Sequence, residues 1–261
     1  MTATGTFTPR PGAAPLPRMI RAQAALETRM LLRNGEQLLL TVLIPSLLLV
    51  LFSTVEVVDI GDAAGPGGEP VDFLAPGVLA LAVLSTAFTG QAIATGFERR
   101  YGVLKRLGTS PLPRWALMAA KTCAVLVTEV LQVALLTAIA FALGWSPHGN
   151  PLSVALLLLL GTAAFSGLGL LMAGTLRAEA TLAAANLVFI LLLVGGGVIV
   201  PLDRFGGTGQ DILGLLPVAA LSDGLRDVLR DGAGLPAGDL AILAVWAVAG
   251  LGAAARFFRW E

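Results

Sequence analysis

The sequence predicts an all-α integral membrane protein. It has six transmembrane helices, an N-terminal interfacial helix and an outer re-entrant helical hairpin before the last span. Six apolar stretches each run close to the roughly 20 residues that a helix rising about 1.5 Å per residue needs to cross the hydrocarbon core. The hydrophobic fraction of 56% and the charged fraction of 13% are extreme for a soluble domain. The basic residues also segregate: with the N-terminus in the cytoplasm, 14 of the 17 Lys and Arg lie inside or at the inner boundary, and only Arg204, Arg226 and Arg230 fall outside. The opposite orientation would violate the positive-inside bias, so both termini are expected in the cytoplasm.

Residues 1–17 are rich in Thr, Gly and Pro and read as a disordered cytoplasmic tail; they lack the apolar core of a cleavable signal. A single six-span membrane domain, 18–261, follows. Its first part, Arg18–Glu36, reads as a helix. Arg18, Arg29, Arg33 and Glu36 group on one side, and Met19, Ile20, Ala24, Met30 and Leu31 lie opposite. Gln23 and Glu27 interrupt the apolar side. Such a helix either lies in the inner interface, its arginines facing anionic headgroups, or extends the first span into the cytoplasm.

The first span, Leu38–Val58, contains Pro45, which is tolerated where a neighbouring helix satisfies the freed carbonyl. The acidic outer loop Glu56–Asp72 follows, then the second span Phe73–Thr95 and the charged inner loop 96–118. The third and fourth spans are Ala119–Leu143 and Leu152–Leu176. After a short inner turn comes the fifth, Leu182–Val200, with the triple glycine Gly195–Gly197 near its outer end. The outer segment 201–239 carries two short helical pieces broken by Pro217. In the second piece Leu221, Leu225, Val228 and Leu229 share a face, and Asp223 and Arg226 take others. The segment reads as a re-entrant or interfacial hairpin, or as a plain amphipathic surface helix. The last span is Leu240–Phe257.

Composition narrows the chemistry. A net charge of zero gives no footprint for nucleic acid. The one cysteine, Cys123, falls in a span and excludes an internal disulfide; the one histidine, His148, sits in a short outer loop. No nucleotide-binding loop, metal spacing or nucleophile elbow is present, so neither a cofactor nor an energy source is expected in this chain. Scarce Lys beside abundant Ala, Gly, Leu and Arg suggests a bacterial source and hence a plasma-membrane location.

Glu129 lies about mid-depth in the third span, and Gln132 shares its face. An acid there costs about 2.5–3.5 kcal/mol on insertion scales, so it faces the bundle interior, a partner or water. Two readings stay open: a polar patch on a substrate path, or a hydrogen-bonded group at a helix contact. Lys121, nearer the inner end, is expected to snorkel to the interface. Gly161, Gly167, Gly169 and Gly174 in the fourth span read as close helix contacts.

In the inner loop, Glu98, Arg99, Gly102, Leu104 and Leu107, followed by the Ser110-Pro111 pair, fit a Glu-Arg-x-x-Gly-x-Leu-x-x-Leu pattern. Together with Arg33 before a span containing Pro45, and Leu216-Pro217 before the Asp-x-x-Arg of Asp223 and Arg226, this resembles the type-2 ABC exporter permeases. The likeness covers nearly the whole chain, and the daunorubicin-resistance permeases look most similar. It implies a half-transporter that pairs with a second permease subunit as a homo- or heterodimer, each with a separate cytoplasmic ATPase that holds ATP and Mg. In that picture Glu98, Arg99, Gly102, Leu104, Leu107, Ser110 and Pro111 couple to the ATPase, and Leu104 and Leu107 dock in its groove. An amphipathic, drug-like or lipid-like substrate would leave the cell at the dimer interface, its release shaped by the outer hairpin around Pro217, Leu221, Asp223, Leu225 and Arg226. The rival is an ion-coupled secondary carrier. Against it, Glu129 is the lone carboxylate deep in a span and no inverted repeat is evident.

Overall fold

The computed structural model describes residues 12–54, 69–198, 202 and 206–259, and every extended element among them is a helix. Most of the acidic loop expected at Glu56–Asp72 therefore lies outside the described residues, as do the end of the first predicted span and residues 1–11 of the predicted tail.

Helix α1, Leu16–Arg33, starts on Pro17 near its N-terminus and stops at Asn34. It packs along α5, Arg114–Ala142. Helix α2, Gly35–Thr54, occupies the place of the first predicted span. Its proline shows how a span keeps an internal Pro. Pro45 cannot donate to the carbonyl four residues back, and that carbonyl, of Thr41, accepts instead from Gln132 Nε2 of α5 at 2.5 Å.

Helix α3, Pro70–Arg100, is the axis of the molecule and is almost wholly buried. Asp72 accepts from the Glu69 backbone N–H at 3.2 Å and so closes its first turn. Midway, Leu84–Gly90 winds as a π-helical segment, a form that places extra width and displaced side chains where a helix does other work. The helix does not end with the predicted span at Thr95 but runs to Arg100, because nothing breaks it before Gly102. Gly102 takes φ +73°, a left-handed conformation that glycine adopts without strain, and starts the short helix α4, Val103–Gly108. Much of the predicted loop 96–118 is thus helical: its first part completes α3, and α5 already begins at Arg114 behind Pro113.

Helix α6, Pro151–Thr175, is capped by the Asn150 side chain, which accepts from Leu152 N at 2.9 Å. It forms the most extensive helix pair with α10, Ala237–Phe257. The glycines make that approach possible. A Cβ at Gly167 would lie 2.5 Å from Leu251 N, and one at Gly169 would lie 2.8 Å from Phe88 O of α3. Helix α7, Ala178–Gly195, stops where the sequence runs into Gly196 and Gly197, the latter at φ +68°. The triple glycine ends the helix instead of continuing the predicted span to Val200.

Helices α8, Gly207–Gly214, and α9, Pro217–Leu229, form the segment before α10. Of the two readings open from sequence, the plain surface helix is not what α9 is. It is buried on nearly every face against α3, α6 and α10, leaving Asp227 exposed and Asp223 half-buried.

Five helices are long and apolar enough to cross a membrane (α3, α5, α6, α7 and α10), and α2 contributes the shorter apolar run Thr41–Thr54. The chain is a multi-pass, all-α membrane protein. Its main core gathers on α3, and a second cluster around Leu104, Leu117, Leu170 and Phe258 sits at the end bearing most of the basic residues.

Candidate functional site

Three places hold polar chemistry: the turn between α3 and α5, a buried seam along α5, and the arginine of α9.

The residues of the α3–α5 turn divide by where they point. Arg99 faces the end of α6, donating to Ala173 O at 2.9 Å and Leu176 O at 2.5 Å, so a cation satisfies carbonyls that a helix end leaves open. Arg100 pairs with Glu179 in the first turn of α7. Ser110 Oγ donates to Leu107 O at 2.6 Å and Thr109 Oγ1 to Arg106 O at 2.7 Å, which closes the end of α4; Pro111 follows, exposed. Leu104 is fully buried in the second cluster and Leu107 packs at its edge. This corrects the expectation that Leu104 is an anchor offered outward: one turn of helix on two glycine-flanked joints can only be held in place by burying a side chain of its own. The faces turned to solvent are those of Tyr101, Val103, Lys105 and Arg106.

Glu98 sits in the last turn of α3. Its Oε2 accepts from Lys121 Nζ at 2.7 Å, and Glu27 Oε2 accepts from the same ammonium at 3.0 Å. Gln23 Nε2 donates to the other oxygen of Glu27 at 2.8 Å. Lys121 does not snorkel; it is 4% exposed. The carboxylates that interrupted the apolar side of α1 and ended α3 are its partners, and the three charges tie α1, α3 and α5 together. The legible signal was complementarity: an acid on an otherwise apolar face beside a lysine one turn inside a span.

Glu129 and Gln132 are both buried on α5. Glu129 Oε2 accepts from Thr162 Oγ1 of α6 at 2.5 Å. Gln132 Oε1 accepts from Thr86 Oγ1 in the π-helical segment at 2.9 Å, while its amide N–H holds the Thr41 carbonyl. Ser166 Oγ donates to Gln91 Oε1 at 2.7 Å. The seam therefore joins α2, α3, α5 and α6 through side-chain hydrogen bonds.

Neither Glu129 nor Gln132 lines the open cavity beside α2. That cavity, of about 510 Å³, is an open groove between α2, α3 and α7. Ile44, Pro45, Leu81, Ile93, Phe97 and Phe189 supply its apolar walls, and Asn34, Thr41, Ser85, Thr89 and Asn186 its polar atoms. Among the described residues, no charged side chain lines it. Sequence reasoning missed these residues because none is chemically unusual. Pro45 was the one clue in the sequence, since a proline reshapes a helix wall.

On α9, Arg226 is 5% exposed and works as a three-way clamp. Nε donates to Phe73 O at 3.3 Å, Nη2 to Val198 O at 2.9 Å and Nη1 to Asp223 Oδ1 at 3.0 Å. The guanidinium also lies over the Phe73 ring, 3.9 Å from its centroid. Burial lowers its pKa to about 10, opposed by the Asp223 carboxylate, so it stays charged at neutral pH. Burial raises the Asp223 carboxyl, and Arg226 opposes that shift. Leu221 and Leu225 are buried beside it, and Pro217 begins the helix.

Compared with known proteins, residues 20–229 match the model of a family described as ABC-2 type transporter. No curated protein matches the chain.

Proposed function

The chain belongs to the ABC-2 type transporter family, and from that premise we propose that it is the permease of a two-subunit exporter driven by a separate ATPase. Its place in the family makes it a transmembrane permease subunit. The groove between α2, α3 and α7 is the observation that supports the finer reading. An amphipathic substrate fits walls that are mostly apolar yet carry five neutral hydrogen-bonding side chains. The groove is open on one side, and α2 and α7 beside it expose Leu39, Leu47, Leu187 and Ile190. A second permease subunit, the same chain or a related one, would cover it. Glu129 and Gln132 then support the bundle and do not touch substrate.

The test is a complex with the candidate ATPase in lipid discs, assayed for ATP hydrolysis stimulated by amphipathic compounds. Phe189→Glu puts a charge on the groove wall and should abolish stimulation while basal hydrolysis persists. Stimulation that survives it would move the substrate elsewhere.

Orientation and coupling are testable in the same system. With cysteines introduced singly on a Cys123→Ala background, Gly207→Cys should label from outside intact cells and Gly108→Cys only after the membrane is opened. External labelling at Gly108 would reverse the orientation. For coupling, the exposed residues of the α3–α5 turn are the contact surface. Replacing both Tyr101 and Val103 by Ala should weaken ATPase co-purification roughly tenfold, the size of one lost hot spot. Lys105→Ala should mainly change its salt dependence. Leu104→Ala should lower the stability of the permease itself, since its side chain packs inside the chain.

A further inference from the structure

Beside the groove lies a second cavity of about 130 Å³, between α1, α3 and α5. Glu27, Glu98 and Lys121 line it together with Gln91 and Thr95. Among the described residues, two carboxylates and one ammonium leave one negative charge uncompensated. A buried charge without a counter-charge is strongly disfavoured, so this arrangement calls for a positive partner. The same cavity holds unused hydrogen-bonding capacity. Thr95 is fully buried and Gln91 is 5% exposed, and Thr95 Oγ1 and Gln91 Nε2 have no hydrogen-bond partner. Turning the Gln91 amide over would let nitrogen donate to Ser166 and offer oxygen to the cavity, an exchange the two ends of an amide permit.

We propose that this cavity is a binding site for one monovalent cation, held by the Glu98 carboxylate with Thr95 Oγ1 and the Gln91 amide. The charge count admits a single positive charge. The neutral oxygens suit an alkali ion or an ammonium group, and among the described residues no cluster of three or more His, Cys, Asp or Glu could hold a metal ion in the usual carboxylate-rich way. The cavity adjoins the groove, and Asn34 and Ala94 line both. The cation is therefore either a free ion or the ammonium end of a molecule whose body occupies the groove. The site stands on its own charge balance and does not depend on the groove carrying substrate.

The experiment is thermal unfolding of the full-length purified chain in N-methylglucamine, sodium, potassium or methylammonium chloride at equal ionic strength. The bulky cation is the blank. The expected result is a rise of about 2–4 °C with at least one small cation at several times its Kd, growing with the logarithm of its concentration, the size expected for a chain of this length. A rise with sodium or potassium assigns a free ion. A rise with methylammonium alone assigns the ammonium end of a larger molecule. Glu98→Gln brings the local charge to zero, so its unfolding temperature should not depend on the salt and should exceed that of the parent in N-methylglucamine. Thr95→Val keeps every charge and should move the onset of the rise to higher cation concentration, which keeps the test open if Glu98→Gln does not fold. Superimposable curves in all four salts would overturn the proposal, since the odd charge would then be cancelled by a proton. So would a Glu98→Gln chain that retains the full rise.

Discussion

Lys121→Met should destabilise the chain by about 3–5 kcal/mol, the cost of leaving a buried ion without its partner. The substitution keeps the length and apolar stem of the side chain, so packing on α5 is nearly conserved. What it removes is the one ammonium that Glu27 and Glu98 share, at 3.0 and 2.7 Å. Two carboxylates on α1 and α3 then face each other across a 4%-exposed position with nothing between them. The expected observation is loss of monodisperse protein, or a large fall in unfolding temperature in detergent. The control is the triple variant Glu27→Gln, Glu98→Gln, Lys121→Met, in which no charge is left to bury. Replacing a whole buried ion cluster by neutral groups is often close to neutral, so the triple variant should recover most of the loss. If the single variant is as stable as the parent, water reaches the cluster and the three charges are not the joint between α1, α3 and α5.

Arg226→Met should cost a similar amount, about 3–5 kcal/mol, for a different reason. Arg226 is paired with Asp223, whose side chain is 40% exposed, and an ion pair open to solvent on one side contributes little. Its larger work is holding the Phe73 and Val198 carbonyls, which have a donor there only because a guanidinium presents several N–H groups in fixed directions. Asp223→Asn should therefore be mild, under about 1 kcal/mol. Arg226→Lys should fall between, because one ammonium cannot reach both carbonyls and the carboxylate from a single point. Gly77→Ala probes the same clamp from the other side. Its new Cβ would lie 2.5 Å from Val198 O and 2.8 Å from Arg226 Nη2, so something must move, at about 1–3 kcal/mol. Heat unfolding of the four variants ranks these effects. A severe Asp223→Asn beside a mild Arg226→Lys would mean that the ion pair holds α9 in place and that the carbonyl contacts matter less.

The parts of this protein that the sequence determined by itself are those set by bulk transfer of apolar segments and by chain-local geometry. Apolar runs of spanning length located α3, α5, α6, α7 and α10, because a long segment without charges has one low-energy place to go. One break was legible too: Pro217 before α9 acts through its own backbone, whereas the glycines that end α7 lay inside the predicted span and Gly102 was read only as a motif position. The loop motif with Ser110 and Pro111, together with Pro45 and the Asp-x-x-Arg of α9, pointed to the family through residue types and spacing alone. Partner choice was decided only by the tertiary structure. Lys121 looked able to reach water on its own, and Glu27 looked like a flaw in an apolar face, until α1 laid one against the other. Pro45 announced a free carbonyl but not that Gln132, 87 positions later in the chain, would donate to it. Leu104 belongs to an amphipathic pattern that names an apolar side without saying whether the chain or a partner covers it. Helical periodicity fixes which residues share a face. What that face meets depends on contacts between segments far apart in sequence, and those follow from how the helices pack.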